Sequence, residues 1–212
     1  AAAGAQMESG RPLAAEAQVL EAELNDLTAK LKAKHQEMCG EWKRFKAQLP
    51  VDEAPGKSAK GKAAPPPSSE LLVPAQATRL RAVFLSFSGA VTGDPHVQSV
   101  CAEQGVAIAR FQDRRIGIFN YREDAPAVLL AHLEKLAEQS KHPELAHLAF
   151  LTAGCSASVL TARNVAYWRP DRTVAVIHFA GGNMHQRRFD PARSLAGVPF
   201  LAINGEWEYC GS

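Results

Sequence analysis

The residues best suited to chemistry form a run of small side chains at residues 154–158 (Gly-Cys-Ser-Ala-Ser), between an apolar segment and a helical pattern. The run contains the thiol of Cys155 and the hydroxyl of Ser156, and either can attack a carbonyl carbon once a base removes its proton. Small neighbours suit a nucleophile on a tight strand-to-helix turn, because bulky ones would collide with both elements. The start of the helix also favours negative charge. The alternative is a turn that only joins two elements.

Two other segments combine small and polar residues directly after apolar runs. They are residues 88–90 (Ser-Gly-Ala) and residues 204–208 (Asn-Gly-Glu-Trp-Glu). In an open parallel sheet, ligands bind outside the carboxyl ends of the strands. We therefore expect both segments to lie at the same edge of the sheet as residues 154–158.

The elements that must position these segments begin near residue 80, where apolar runs of strand length alternate with helical patterns. We predict strands at residues 82–87, 106–111, 116–120, 148–152, 174–179 and 198–203, and helices at residues 125–140 and 158–168. Pro170 ends the second helix. The strands are apolar throughout, which is typical of a sheet covered on both faces. The sequence predicts an α/β fold, with a mostly parallel sheet and helices on both faces.

A helical pattern without chemistry occupies residues 13–49. A strict seven-residue spacing is kept by Leu24, Leu31, Met38 and Phe45. The companion positions begin as Leu20 and Leu27 and then become charged, so the apolar stripe drifts around the helix. The pattern fits either a short coiled coil that assembles a homo-oligomer through residues 13–49, or an amphipathic helix that packs on the body or on a partner.

Residues 50–70 are rich in Pro, Ala, Gly, Ser and Lys and nearly free of large apolar side chains. Such a segment cannot bury enough surface to fold, so we predict a disordered linker. The domain organisation expected is therefore an N-terminal amphipathic helix at residues 1–49, a linker at residues 50–70 and an α/β domain at residues 71–212. A linker of this composition is also compatible with an exported bacterial protein.

Residues 154–158 resemble the G-x-S-x-G nucleophile elbow of the α/β-hydrolase superfamily, with Ser158 in place of the second Gly. Residues 84–93 (FLSFSGAVTG) resemble its early strand and oxyanion loop, and residues 198–208 (VPFLAINGEWE) resemble its late strand followed by an acid. The resemblance implies an α/β-hydrolase-like fold and a serine hydrolase of the esterase and polyester-depolymerase branch. It implies an acyl-enzyme mechanism on small-molecule or polymeric esters.

The resemblance also implies roles for particular residues. Ser156 is the nucleophile, and the elbow read one residue earlier makes Cys155 the nucleophile, as in dienelactone hydrolases. The serine frame keeps a Gly, at position 154, in the first small position. The oxyanion would receive N–H groups from Ala157 and from Gly89 or Ala90.

The resemblance assigns the acid and the histidine of the catalytic triad less completely than the nucleophile. Glu206 or Glu208 is the candidate acid, or both belong to an exposed acidic turn. The superfamily places its histidine after the acid, whereas all seven histidines of this sequence precede it. His185 is expected to contact substrate or to line the pocket, and His178 to be a satisfied core residue.

We therefore expect either a fragment or a shortened hydrolase-like protein, in which Ser156 without a base attacks esters slowly. The alternative function is an inactive scaffold or interaction protein assembled by its N-terminal helix.

The composition is that of an ordinary globular protein, with 46% hydrophobic and 22% charged residues. A net charge of +2 gives no argument for nucleic acid or a membrane surface as partner, and no apolar run is long enough to span a membrane. The four cysteines are Cys39, Cys101, Cys155 and Cys210, which fit two disulfides or four thiols. None forms a C-x-x-C pair, so we expect neither a metal nor another cofactor.

Overall fold

The computed structural model describes residues 10–39, 41–50, 66–116, 124–180 and 197–203. The chain divides into two compact units, residues 1–39 and residues 40–212. The first unit contains helix α1 (Gly10–Cys39), and the second contains a seven-stranded sheet with its helices. Within the described ranges, every helix is too short or too polar to cross a lipid bilayer.

The prediction of a helix through residue 49 was wrong. Helix α1 ends at Cys39, just before a glycine in the sequence, and Trp42–Gln48 form strand β1 instead. Apolar residues at 42, 45 and 49 fit a helical spacing, but backbone pairing with a distant segment decides their conformation. In the strand, Ala47 is fully buried and Phe45 packs against the same core, as does Leu49 just after the strand.

The predicted linker is also shorter at its C-terminal end than expected. Strand β2 (Ser68–Pro74) begins inside it and pairs antiparallel with β1, so the sheet unit starts before residue 71. Leu71, Leu72 and Val73 supply the apolar side chains that the linker composition lacked, and all three are buried. Residues 51–65, which carry most of the predicted linker, lie outside the described residues.

The remaining strands are β3 (Ala82–Ser86), β4 (Val106–Gln112), β5 (Ala149–Cys155), β6 (Thr173–Phe179) and β7 (Phe200–Ile203). The order across the sheet is β1-β2-β4-β3-β5-β6-β7. Strands β1 and β2 run antiparallel to their neighbours, and β3 to β7 are parallel to one another. The predicted mostly parallel sheet is confirmed.

In its described residues the sheet unit contains the helices α2 (Gly89–Thr92), α3 (Pro95–Glu103), α4 (Ala125–Ser140) and α5 (Val159–Trp168). Alternate residues of the strands point to opposite sides. On one side Val83 and Leu85 pack in a cluster with Leu133 of α4. On the other side Phe84 packs in a cluster with Cys101 of α3. Helices therefore cover both faces, as predicted, and α4 has the predicted bounds.

One strand prediction falls mostly outside the described residues, and another needs correction. Residues Arg114–Ile116 form a short 3-10 turn, and residues 117–120 lie outside the described ranges. Strand β7 was expected to be buried, but Phe200, Leu201 and Ile203 are 40–53% exposed. In the described part of the chain β7 is the last strand of the sheet and pairs with β6 alone, so its apolar composition does not measure its burial.

Candidate active site

The central feature of the site is the turn that joins β5 to α5. Strand β5 ends at Cys155, residues Ser156–Ser158 make one 3-10 turn, and α5 begins at Val159. Ser156 has φ 54° and is exposed. A positive φ is unfavourable for serine, and such strain is concentrated at active sites and ligand clamps. The strand, turn and helix supply the structural context that the elbow motif requires.

Gly154 explains why the turn needs small residues. A Cβ atom at this position would lie 2.3 Å from the carbonyl oxygen of Ser158 and 2.5 Å from the nitrogen of Val159. Both atoms belong to the backbone at the start of α5, so the chain passes too close to Gly154 for any side chain. Of the predicted small positions, this one has a measurable steric requirement for glycine.

Ser158, the departure from the superfamily pattern, closes the turn. Its hydroxyl donates a hydrogen bond to the Cys155 carbonyl over 2.8 Å and accepts one from the Cys155 N–H over 2.9 Å. A glycine could make neither bond. The serine therefore stabilises the turn that presents Ser156.

The structure distinguishes the two candidate nucleophiles by their backbone. Cys155 has φ −122° and ψ 138°, the ordinary conformation of a strand end, and its side chain packs against the cluster that contains Phe84 and Cys101. Ser156 occupies the strained and exposed position. The geometry of the turn thus favours Ser156 over Cys155.

The candidate oxyanion donors lie at neighbouring strand ends. The Phe87 N–H donates to the Ala153 carbonyl over 3.1 Å, which joins the end of β3 to the end of β5. Gly89 and Ala90 open helix α2, where the first N–H groups have no partner within the helix. Ala157 is exposed beside Ser156. A Cβ atom at Gly89 would meet nothing within 4 Å, so the space next to its backbone is open.

An open cleft of about 400 Å³ lies at this same edge of the sheet. Phe87 and Gly89 line it from the end of β3, and Phe111 lines it from the end of β4. The rings of Phe87 and Phe111 stack with their centroids 5.7 Å apart and form its apolar part. Its charged side chains are Lys46, Arg110 and Glu70, and Arg110 forms an ion pair with Glu70 over 3.4 Å. Sequence reasoning missed Lys46 at this edge because it assigned β1 to the N-terminal helix.

A second set of serine, histidine and aspartate side chains lies in the core. Nδ1 of His132 is 3.0 Å from the Ser69 hydroxyl, and its Nε2 is 2.8 Å from the Asp113 carboxylate. Burial raises the pKa of Asp113, but hydrogen bonds from His132 and Arg115 outweigh it and hold this pKa well below its usual range. His132 is fully buried, as its place on the apolar face of α4 indicates. The set joins α4 to β2 and to the residue that follows β4.

His178 lies in β6, opposite Gly154 of β5. Its ring is buried, as predicted, and meets the Phe200 ring edge-on with centroids 4.5 Å apart. Burial and the charge of Arg163 lower the pKa of His178 to about 4, so the ring is neutral at neutral pH. Nε2 has no hydrogen-bond partner among the described residues, and to that extent the prediction of a satisfied core histidine was wrong.

Three predicted site residues cannot be placed. Glu206, Glu208 and His185 lie outside the described residues, so their roles stay predictions. In the described ranges, no group of three or more His, Cys, Asp or Glu side chains is arranged to hold a metal ion.

Comparisons with known proteins return structural neighbours only. No family model and no curated protein matches the sequence. A cold-adapted esterase from an Arctic intertidal metagenomic library is 14% identical, with 65% of this chain and 58% of that chain covered and a TM-score of 0.39. The enterobactin esterase FES from Shigella flexneri is 14% identical, with 73% of this chain and 45% of that chain covered and a TM-score of 0.46. The Pyrobaculum calidifontis esterase is 17% identical, with 74% of this chain and 51% of that chain covered and a TM-score of 0.40.

The chain spans about half the length of these esterases. At these identities and TM-scores the likeness carries no argument about substrate or mechanism. The chain's own mostly parallel sheet, with Ser156 at positive φ between β5 and α5, agrees with the α/β-hydrolase-like fold that the sequence resemblance implied.

Proposed function

We propose that this protein hydrolyses carboxylic esters through an acyl-enzyme on Ser156. The observation that carries the proposal is the exposed, positive-φ position of Ser156 between β5 and α5. A serine in an ordinary loop has no need of this conformation, because it costs on the order of 1–3 kcal/mol. The steric requirement for Gly154 shows that the surrounding backbone is built around the same turn.

In the proposed reaction the Ser156 Oγ attacks the ester carbonyl carbon, and negative charge develops on the carbonyl oxygen. The N–H groups of Ala157 and of Gly89 or Ala90 are the donors for this oxyanion, and the N-terminus of α5 favours the charge. Expulsion of the alcohol leaves the acyl group on Ser156, and water then releases the acid.

The base and its partner complete the proposal. In this mechanism a histidine, a role assigned to none of the described histidines, accepts the Ser156 proton and returns it to the leaving alcohol. Glu206 or Glu208 orients that histidine and stabilises its charged form. The core histidines His132 and His178 are buried, and neither is the base in the proposed mechanism. His185 has the role of a substrate contact.

The cleft beside Gly89 suggests where part of the ester binds. Its stacked Phe87 and Phe111 rings suit an apolar acyl or alcohol group, and its volume of about 400 Å³ is within the range of small-ligand sites. The proposed substrates are therefore small-molecule esters, or the exposed chain ends of polymeric ones.

Hydrolysis of p-nitrophenyl esters of increasing acyl length tests the proposal on the protein in its natural full length. We expect Ser156→Ala to abolish turnover and Cys155→Ala to retain it. Ser99→Ala on α3 is a matched control that removes a hydroxyl away from the turn and should leave turnover unchanged. A folded protein without activity would instead support the alternative of an inactive, hydrolase-like scaffold.

A further inference from the structure

Helix α1 carries an apolar stripe that the proposed hydrolase site does not use. Leu20, Leu24, Leu27 and Leu31 are 63–72% exposed. A helix usually gains most of its stability by packing an amphipathic face rather than from its intrinsic propensity. A row of exposed leucines on a 30-residue helix therefore indicates a missing partner surface.

The end of α1 at Cys39 changes how this stripe is interpreted. Part of the drift predicted from the sequence depended on residues 41–49, which are not part of the helix. Within α1 the four leucines alternate in steps of four, three and four residues, the spacing of core positions in a two-stranded coiled coil. The same pattern continues to Ala17 on one side and Lys34 on the other.

Lys34 opposes a parallel pairing of two identical helices. In a parallel pair each core residue faces its own copy, so two Lys34 ammonium groups would meet in the seam. A parallel pair would also bring Glu16 of one helix beside Glu21 of the other, at flanking positions that interact between strands. Both contacts place like charges together.

An antiparallel pairing removes both conflicts. When Leu24 faces Leu27 of the second copy, Leu20 faces Leu31, and all eight leucines enter the seam. Lys34 then faces the small Ala17, over which its aliphatic stem can lie while its charge reaches water. Lys34 already binds Glu37 of its own helix over 2.9 Å, so its charge has a partner outside the seam.

The flanking charges agree with this orientation. In the same register Glu23 of each copy lies beside Lys30 of the other, which gives two ion pairs of opposite charge. Lys30 also binds Asp26 within its own helix over 2.7 Å, on the side away from the seam. The outer flanking pair, Glu16 with Glu37, is unfavourable, but Glu37 is held by a lysine of its own helix.

We propose that α1 is an antiparallel dimerisation helix whose partner is α1 of a second copy of this chain. Each leucine side chain has about 100 Å² of apolar surface, of which about two thirds is exposed on α1, so the eight leucines can bury on the order of 500 Å² in the dimer. This lies below the total area of a standard interface, so we expect reversible dimers with a micromolar Kd. The inference is independent of the proposed ester hydrolysis.

Sedimentation equilibrium of the full chain over a wide concentration range tests the dimer. We expect a monomer–dimer equilibrium that Leu24→Gln with Leu27→Gln weakens on the order of a hundredfold. Ala22→Gln with Ala29→Gln is the matched control, because these exposed residues lie on the opposite side of α1 and should leave Kd unchanged. A chain that is monomeric throughout, or a dimer that survives the leucine substitutions, would overturn the proposal.

A charge-reversal series tests the orientation. Lys30→Glu should raise Kd about tenfold, since it places a second carboxylate beside Glu23 at both of these contacts, and Glu23→Lys added to it should restore the affinity. Asp26→Lys is the control, because it breaks the same intrahelical ion pair at a position away from the seam. Failure of the double reversal to restore binding would contradict the antiparallel register. Circular dichroism of each variant confirms that the helix and sheet are retained.

Discussion

Gly154→Ala is the most direct structural test of the turn that presents Ser156. The added methyl carbon would lie 2.3 Å from the Ser158 carbonyl oxygen, whereas real Cβ contacts are essentially never shorter than 3.0 Å. The backbone at the start of α5 must therefore move by at least 0.7 Å, the difference between 3.0 Å and 2.3 Å. A flexible side chain could move aside, but this backbone is fixed by α5 and by the two hydrogen bonds between Ser158 and Cys155.

We expect this substitution to lower the free energy of unfolding by about 3 kcal/mol, the upper end of the range for overpacking, because backbone must move. That loss is a large part of the total stability of an ordinary domain. The displaced turn should also slow acylation of Ser156 on the order of a hundredfold, as expected for an error near 1 Å in a reacting group.

Urea unfolding followed by circular dichroism measures the loss, with Gly89→Ala as the control. Gly89 has open space around a Cβ atom and no positive φ, and alanine keeps the N–H proposed for the oxyanion. The control should stay within about 0.5 kcal/mol of the parent chain. If Gly154→Ala were equally well tolerated, the account of the turn given above would be refuted.

Three further predictions concern groups in the core. His178 is neutral in the fold, because its pKa is about 4 against an ordinary 6.5. The stability that it contributes above pH 6.5 is therefore lost as the pH falls toward 4. In urea titrations at several pH values, His178→Gln should remove about 3 kcal/mol of this dependence of stability on pH. Asp113→Asn should lower the free energy of unfolding by about 3 kcal/mol at pH 7, because it removes the carboxylate that binds His132. The difference in stability between this variant and the parent chain should narrow below pH 3.8, because the pKa of Asp113 is lowered in the fold. Burial raises the pKa of the Cys101 thiol to about 11, so iodoacetamide at pH 8 should modify Cys155 before Cys101, as peptide mapping would show. Equal modification of these two thiols would contradict the burial of Cys101.

The sequence predicted those parts of the fold in which local pattern and tertiary environment agree. Helix α4 has the predicted bounds because its apolar face, including His132, repeats at helical spacing and packs on the sheet. The turn at Ser156 was found because its small residues are adjacent in sequence. The steric requirement at Gly154 could be suspected from the motif and is measured in the structure.

Strand β1 could not be predicted for a physical reason. Its partner β2 lies beyond residues 51–65, and the pairing that stabilises both strands is invisible to a local pattern. The error removed Lys46 from the candidate site and extended the apparent stripe of α1 past Cys39. The exposure of β7 was missed because apolar composition does not reveal which strand is last in the described sheet.

The measurement that tests the central claim most directly is fluorophosphonate modification of the full-length natural protein, followed by intact mass and peptide mapping. A single adduct on Ser156, absent from Ser156→Ala and retained in Cys155→Ala, is the predicted result. An adduct on another residue, or none on a folded protein, would contradict the assignment of Ser156 as the nucleophile.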